Sequence, residues 1–206
     1  MVVIIDYDAG NVMSVLRACE AVGAEAVISK DPDVIAHASH VILPGQGAFG
    51  DAIEHMTKRD LLDPIRDVVK SKVPFLGICL GLQVLFYDSE ESDGIAGLSL
   101  LPGHIRRIPT GTDSSGHRLR IPHIGWNTVR LSQDGRLFKG ISGESFFYFD
   151  HSYYLDCEDK SLVSGTCTYG VEMDVSVESD NIFACQFHPE KSSDTGMKIL
   201  ENFVRL

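Results

Sequence analysis

Short apolar runs, each followed by a stretch of helical spacing, set the fold of the first half of this chain. Val2-Val3-Ile4-Ile5 is β-branched throughout, the mark of a strand buried on both faces. After Gly10-Asn11, the residues Val12, Val15, Leu16, Cys19 and Val22 recur at helical spacing, and Gly23 supplies a stop. Val27-Ile28, His40-Val41-Ile42-Leu43 and Phe75-Leu76-Gly77-Ile78 predict further strands, the His40 run being closed by Pro44-Gly45. Helical patterns run from Gly50 to about Lys70, broken near Pro64, and from Leu80 to about Tyr87. Strand and helix alternating at this pitch build βαβ units, so a parallel sheet with helices on both faces is expected.

The second half changes character. Arg118 to Leu131, Ser145 to Leu155, Leu162 to Thr168 and Val171 to Val177 are rich in β-formers and turn residues, and predict antiparallel strands added to the same sheet. Ile182 to Phe187 is another apolar run, and it delivers His188-Pro189-Glu190 at its end. Ser192-Ser193-Asp194 offers N-caps for a last helix that buries Met197, Leu200, Phe203 and Val204. Asp113 to Gly116 is the expected flexible tip. No repeat or linker divides the chain, so residues 1–206 are expected to form one α/β domain with a mixed, largely parallel, flavodoxin-like central sheet.

The charge excludes several classes of partner. A formal net charge of −11 lacks the basic footprint of nucleic-acid binding and opposes adhesion to anionic membranes. The longest uncharged stretch, Val73 to Tyr87, contains Pro74, Gly77 and Gly81 and is shorter than the ~20 residues of a membrane helix. The five cysteines are odd in number and contain no C-x-x-C, which predicts neither a disulfide framework nor a zinc ribbon. His37 and His40, three apart on an expected helix, read as solvated side chains, and no metal site is expected. A cytoplasmic protein is the expectation.

Gly77-Ile78-Cys79-Leu80-Gly81 has the form G-x-C-x-G between an expected strand and an expected helix. This is the nucleophile-elbow pattern with cysteine in place of serine. The glycines have a steric reason, since the sharp turn leaves no room for β-carbons beside the reactive side chain. The turn also sets the sulfur near a helix N-terminus, which favours thiolate, the form that attacks a carbonyl carbon. A small buried core cysteine is the competing reading of the pentapeptide alone. His188 and Glu190 shift the balance: a thiol nucleophile needs a base to take and return its proton, and the base needs a group to fix its tautomer. Two apart in extended geometry after a strand, both project from one side. In a doubly wound sheet the carboxyl ends of neighbouring strands share a crevice. Oxyanion donors are expected from the Leu80 N–H and from the turn Pro44-Gly45-Gln46-Gly47.

These residues resemble the class I, triad-type glutamine amidotransferases: Phe75 to Gln83 is similar to that family's nucleophile segment and Phe187-His188-Pro189-Glu190 to its His-Glu segment. The resemblance implies that Cys79 attacks the side-chain amide of glutamine, releases ammonia and forms a thioester that water hydrolyses to glutamate, with no cofactor. It implies that Gln83, Ser152 and Tyr153 hold the amino-acid end of the substrate. Within the class, Ile5 to Asn11 with Ser14-Val15, Pro122-His123-Ile124-Gly125-Trp126-Asn127, and Lys191-Ser192 after Glu190 resemble the glutaminase subunits that serve histidine biosynthesis. That implies a heterodimer with a (βα)8-barrel cyclase subunit, with Asn11, Trp126 and Lys191 at the interface. Helix cap, core residue and solvated charge are the respective bland readings of those three. The chain departs from the pattern at Gln46, where valine is common, at Asp8, where a small residue or asparagine is frequent, and at Asp150, which puts a charge beside His151. The alternatives are a paralogous glutaminase feeding another synthase, such as one that amidinates surface sugars, a cysteine peptidase or DJ-1-like protein on the same elbow, and a non-catalytic subunit.

Overall fold

The computed structural model describes residues 1–8, 10–112 and 116–206. Ala9 within the Ile5–Asn11 segment, and most of the expected tip at Asp113 to Gly116, lie outside the described residues. Five strands run parallel in the order β2 (Ala26–Ser29), β1 (Val2–Ile5), β3 (His40–Leu43), β4 (Phe75–Ile78) and β11 (Ile182–Cys185). The sheet continues antiparallel through β10 (Val171–Ser179), β9 (Val163–Tyr169), β6 (His123–Leu131) and β7 (Glu144–His151). Off this path, β8 (Tyr153–Cys157) pairs with β10 and with β5 (Gly103–Arg107).

Because side chains alternate along a strand, β1 feeds two cores. Val3 and Ile5 join a cluster with α2 (Pro32–Ala36), α3 (Phe49–Lys58) and α4 (Leu62–Lys70), through Ile35, Phe49, Met56 and Ile65. Val2 and Ile4 face α1 (Val12–Ala21) and α6 (Ser193–Phe203), through Val15, Cys19, Leu200 and Phe203. Each fully buried side chain of this size stabilises the fold by roughly 1.5–3 kcal/mol relative to exposure. Both faces are covered, which is why the central strands are continuously apolar.

Local expectations were corrected in several places. The helix expected from Leu80 to Tyr87 is the single turn α5 (Leu80–Gln83). Tertiary structure claims its continuation: the carbonyls of Val84, Leu85, Phe86 and Tyr87 accept from the N–H groups of Leu98, Leu100, Ser99 and Gly97. The break in the 50–70 helix falls at 59–61, and Pro64 sits in the first turn of α4, where no N–H is required. Ser145 to Leu155 divides at Ser152 into β7 and β8, and strand β6 begins at His123, five residues after Arg118. The sequence reading missed β5 and α2, although Asp31 caps α2 through the Asp33 N–H. His37 caps the end of α2 and His40 opens β3, so they share no helix. Asn11 precedes α1 without a side-chain capping bond. Ser192 precedes α6 likewise, its hydroxyl being used elsewhere.

Candidate active site

The parallel order β3–β4–β11 brings three chain segments to one edge. Leu43 pairs with Gly77, and Cys185 with Ile78, so the Pro44–Gly47 turn, Cys79 and His188 leave neighbouring strands at the same level. The Cys79 N–H donates to the Cys185 carbonyl at 2.8 Å, clamping the elbow to β11. Cys79 itself holds φ 55° and ψ −108°, a strained conformation of the kind that clusters at functional sites. The glycines behave as the sequence predicts. A β-carbon on Gly81 would lie 1.8 Å from the Leu43 carbonyl oxygen, and one on Gly77 would lie 2.5 Å from the Gly81 carbonyl oxygen. On Gly45 it would lie 2.7 Å from the Leu80 β-carbon, which packs the Gly-rich turn directly against the elbow.

His188 and Glu190 meet, by a route other than extended backbone. Residues 189–191 form a 3-10 turn, and it folds the Glu190 carboxylate back to accept from His188 Nδ1 at 2.8 Å. The side chains are 2% and 1% exposed. Ser192 fixes this turn: its hydroxyl donates to the His188 carbonyl at 2.6 Å and accepts from the Tyr148 N–H at 3.0 Å. A carboxylate on Nδ1–H leaves Nε2 as the nitrogen open to a further partner. That Nε2 and Glu190 Oε2 are buried and meet no hydrogen-bond partner of ordinary geometry among the described residues. Burial opposes charge on His188, but the Cys79 sulfur and the Glu190 carboxylate outweigh it and push its pKa up to about 10. The arrangement therefore favours imidazolium beside sulfur. Asp150, expected to place a charge here, is exposed at the rim, and its backbone carbonyl is what faces Cys79 Sγ, at 3.9 Å. Since α5 is one turn long, a helix dipole contributes little. Gln186 Nε2 donates to Sγ at 3.5 Å.

The other four cysteines are packing groups. Burial pushes the thiols of Cys19 and Cys167 up to about 12 and that of Cys157 up to about 11, and lifts Cys185 well above its ordinary value. Such thiols are inert.

Cys79 opens onto a cavity of about 350 Å³ lined by Gln46, Gly47, Leu80, Gln83, Ser152 and Tyr153, all expected from the sequence, together with Glu91, Pro122, Asp150 and His151. Gln83 is buried and donates to the Tyr153 carbonyl at 3.1 Å and to Gln186 Oε1 at 3.0 Å. Glu91, which the sequence reading missed, accepts from the Phe49 N–H at 2.8 Å and brings a carboxylate into the cavity wall. Nothing local marks it, because a loop carries it there. Gln186 was legible in principle, two residues before His188 on the same strand exit.

The expected interface residues divide. Trp126 is 53% exposed, which rules out the core reading. It lies edge-on to Tyr148 at 6.2 Å, and the Lys191 ammonium sits 5.7 Å over the same Tyr148 ring. With exposed Ile124 and Phe146 on β6 and β7, these residues make one aromatic patch at the free edge of the sheet. Asn11 lines a small gap beside Gly45, Gln46, His188 and Glu190. Among the described residues no group of three or more His, Cys, Asp or Glu is placed to hold a metal ion, and no helix is long and apolar enough to cross a membrane.

Two buried histidines carry a pH signature. Burial lowers His151 to about 3, and lowers His123 to about 4. Both folded values lie below the unfolded one, so the stability they contribute is present above about pH 6.5 and is lost as pH falls through those values. Two protons at about 1.4 kcal/mol per unit each predict a loss approaching 3 kcal/mol per pH unit between about pH 6 and 4. His188, raised instead, works in the opposite sense: its contribution falls from about pH 6.5 up to about 10 and offsets part of the difference between pH 7.5 and pH 5. Denaturant midpoints measured at pH 7.5 and 5 should differ accordingly, and equal midpoints would contradict the burial assigned to this pair.

A family model described as "Glutamine amidotransferase class-I" matches residues 3–206. The chain is 47% identical over 205 residues to the imidazole glycerol phosphate synthase subunit HisH of Moorella thermoacetica, covering 100% of this chain and 94% of that protein. It is 44% identical to the subunit of the same name from Methanothermobacter thermautotrophicus, covering 100% and 98%. Among solved structures, a crystal structure of a glutamine amidotransferase superimposes with a TM-score of 0.73 at 18% identity, covering 98% of each chain. The PurLQS structure from Thermotoga maritima contains a chain that superimposes equally well, with a TM-score of 0.73 at 19% identity, covering 99% of this chain and 97% of that one. At such identities these two establish likeness of fold alone.

Proposed function

Because the chain belongs to the class-I glutamine amidotransferases, and within them to the HisH subunits of imidazole glycerol phosphate synthase, we propose that Cys79, His188 and Glu190 are the triad by which it hydrolyses glutamine. The observation that carries this reading is the buried His188–Glu190 pair, held at 2.8 Å just after the strand next to the strained Cys79 elbow. Cys79 Sγ attacks the δ-carbon of the glutamine side chain, and the carbonyl π-pair moves to oxygen. His188, as imidazolium, gives its Nε2 proton to the departing nitrogen, which leaves as ammonia, and a γ-glutamyl thioester remains. Neutral His188 then takes a proton from water, hydroxide attacks the thioester, glutamate leaves, and the sulfur is restored. Glu190 holds Nδ1–H throughout. The Leu80 N–H, in a first helical turn with no intrahelical partner to meet, and a peptide N–H of Gly45–Gly47 receive the oxyanion.

Gln83, Ser152 and Tyr153 hold the amino-acid end of the substrate in this reading, and Glu91 meets its α-ammonium group. Ammonia passes to a (βα)8-barrel cyclase subunit, the second member of a cytoplasmic heterodimer. The patch of Trp126, Tyr148 and Lys191 suits that partner, since exposed aromatics with a cation are typical interface anchors. Asn11 lies beside the Gly45–Gln46 turn that supplies the oxyanion donors.

Glutamate release should be measured with the chain alone, with the cyclase subunit, and with that subunit loaded with its nucleotide acceptor. Activity that is low in the first two and rises steeply in the third is the expected result. Full activity alone would remove the coupling, and no activity in any of the three would remove the histidine-pathway assignment. A paralogous synthase, as for surface sugars, and a non-catalytic subunit are then the readings left.

A further inference from the structure

The antiparallel register of β6 and β7 sets His123 opposite His151. Both are buried polar side chains that the triad does not use. His151 Nδ1 lies 2.8 Å from the Tyr153 carbonyl, which can only accept, so Nδ1 carries the proton and Nε2 is bare. His123 Nδ1 lies 3.1 Å from that Nε2 and therefore donates to it, leaving its own Nε2 bare. Asn127 Nδ2 lies 3.3 Å from His123 Nε2 and supplies the donor. The amide's orientation is fixed independently, because Nδ2 also donates to the Thr168 carbonyl at 3.2 Å while Oδ1 accepts from the Thr128 N–H at 2.8 Å. Every proton in the row is thus assigned in one direction. Phe149 and Tyr169 stack on His123 at 4.8 and 4.0 Å and set its ring plane.

The row ends where the substrate cavity begins. The Tyr153 carbonyl receives both His151 and Gln83, and Gln83 continues through Gln186 to the Cys79 sulfur. Its other end opens on a broad groove lined by His123, Asn127, Trp126 and Tyr169, which meets the cavity at Pro122. We infer that Asn127, His123 and His151 form a positioning relay that fixes the Tyr153 carbonyl, and with it the wall against which glutamine binds, from the groove side of the sheet. None of the three touches the reacting atoms. The relay deepens the glutaminase reading and rests on it.

The test uses the full chain with its nucleotide-loaded cyclase partner. His123→Phe keeps the stack between Phe149 and Tyr169 and removes both hydrogen bonds. It should raise KM for glutamine about 5- to 10-fold, as loss of one well-placed hydrogen bond does, with kcat changed less than about threefold. His151→Asn can place an amide donor near the Nδ1 position but loses the acceptor for His123, so it should raise KM by less than His151→Leu, which should raise it at least as much as His123→Phe. The double variant His123→Phe/His151→Leu should be no worse than His151→Leu alone, because both cut one chain. Unchanged KM in His123→Phe, or equal KM for His151→Asn and His151→Leu, would overturn the relay while leaving the glutaminase intact. An inactive wild-type complex would overturn the proposed function, and the relay with it.

Discussion

Replacing Cys79 by alanine or serine is expected to lower glutamate release by at least about 10⁴-fold, the scale on which a covalent triad fails when one of its acting members is removed. The elbow should survive the change, since serine and alanine fit the space of the thiol and the strain at φ 55° is borne by the backbone contacts of Gly77 and Gly81. Thermal midpoint and cyclase binding should therefore stay near wild type while turnover disappears. His188→Asn should cost nearly as much, because a nucleophile without its base acts as if absent. Glu190→Gln should cost less: it still accepts at Nδ1 but no longer stabilises imidazolium. Turnover near wild type in the Cys79 variants would remove the mechanism.

Gly81→Ala should have the largest effect on stability. The added methyl would lie 1.8 Å from the Leu43 carbonyl oxygen, inside the closest approach of any real contact. That carbonyl belongs to β3, which is locked between β1 and β4, so the neighbour cannot yield. Separating β3 from the elbow should cost more than about 3 kcal/mol, in the upper range of overpacking effects, and should lower activity by displacing Cys79 and the Gly45–Gly47 turn together. Gly111→Ala is the control. Its added carbon would meet only the Leu119 methyl at 3.8 Å, and it should change stability by less than about 0.5 kcal/mol. Chemical denaturation distinguishes the two, and equal midpoints would show that the packing of the elbow is looser than described.

Much of this architecture was legible because its signals are local. Apolar runs rich in β-branched residues and buried on both faces identify themselves, as Val2–Ile5 and Val41–Leu43 do. The strand-to-helix turn at Cys79 identifies itself by glycines that steric contact demands, at 77 and 81. What escaped depends on distant segments. The length of α5 is decided by residues 97–100 taking its carbonyls, and no propensity within Leu80–Tyr87 records that. Glu91 reaches the cavity from a loop, and His123 meets His151 through a register that pairs residues 28 apart. Ser192 looked like a helix cap because serine before a helix usually is one, but the hydroxyl found a stronger use at the His188 carbonyl. His188 and Glu190 do meet, but not through the extended backbone expected of them: a 3-10 turn brings the two side chains together.

The most direct test of the account is to trap the acyl intermediate. The complex with the nucleotide-loaded cyclase would be quenched in acid during glutamine turnover and its peptides weighed by mass spectrometry. The account predicts one glutamyl group on the peptide that carries Cys79, absent when Cys79 is alanine and absent without glutamine. Steady turnover with no adduct on that peptide, or with the adduct on another cysteine, would contradict the assignment of Cys79 as the nucleophile.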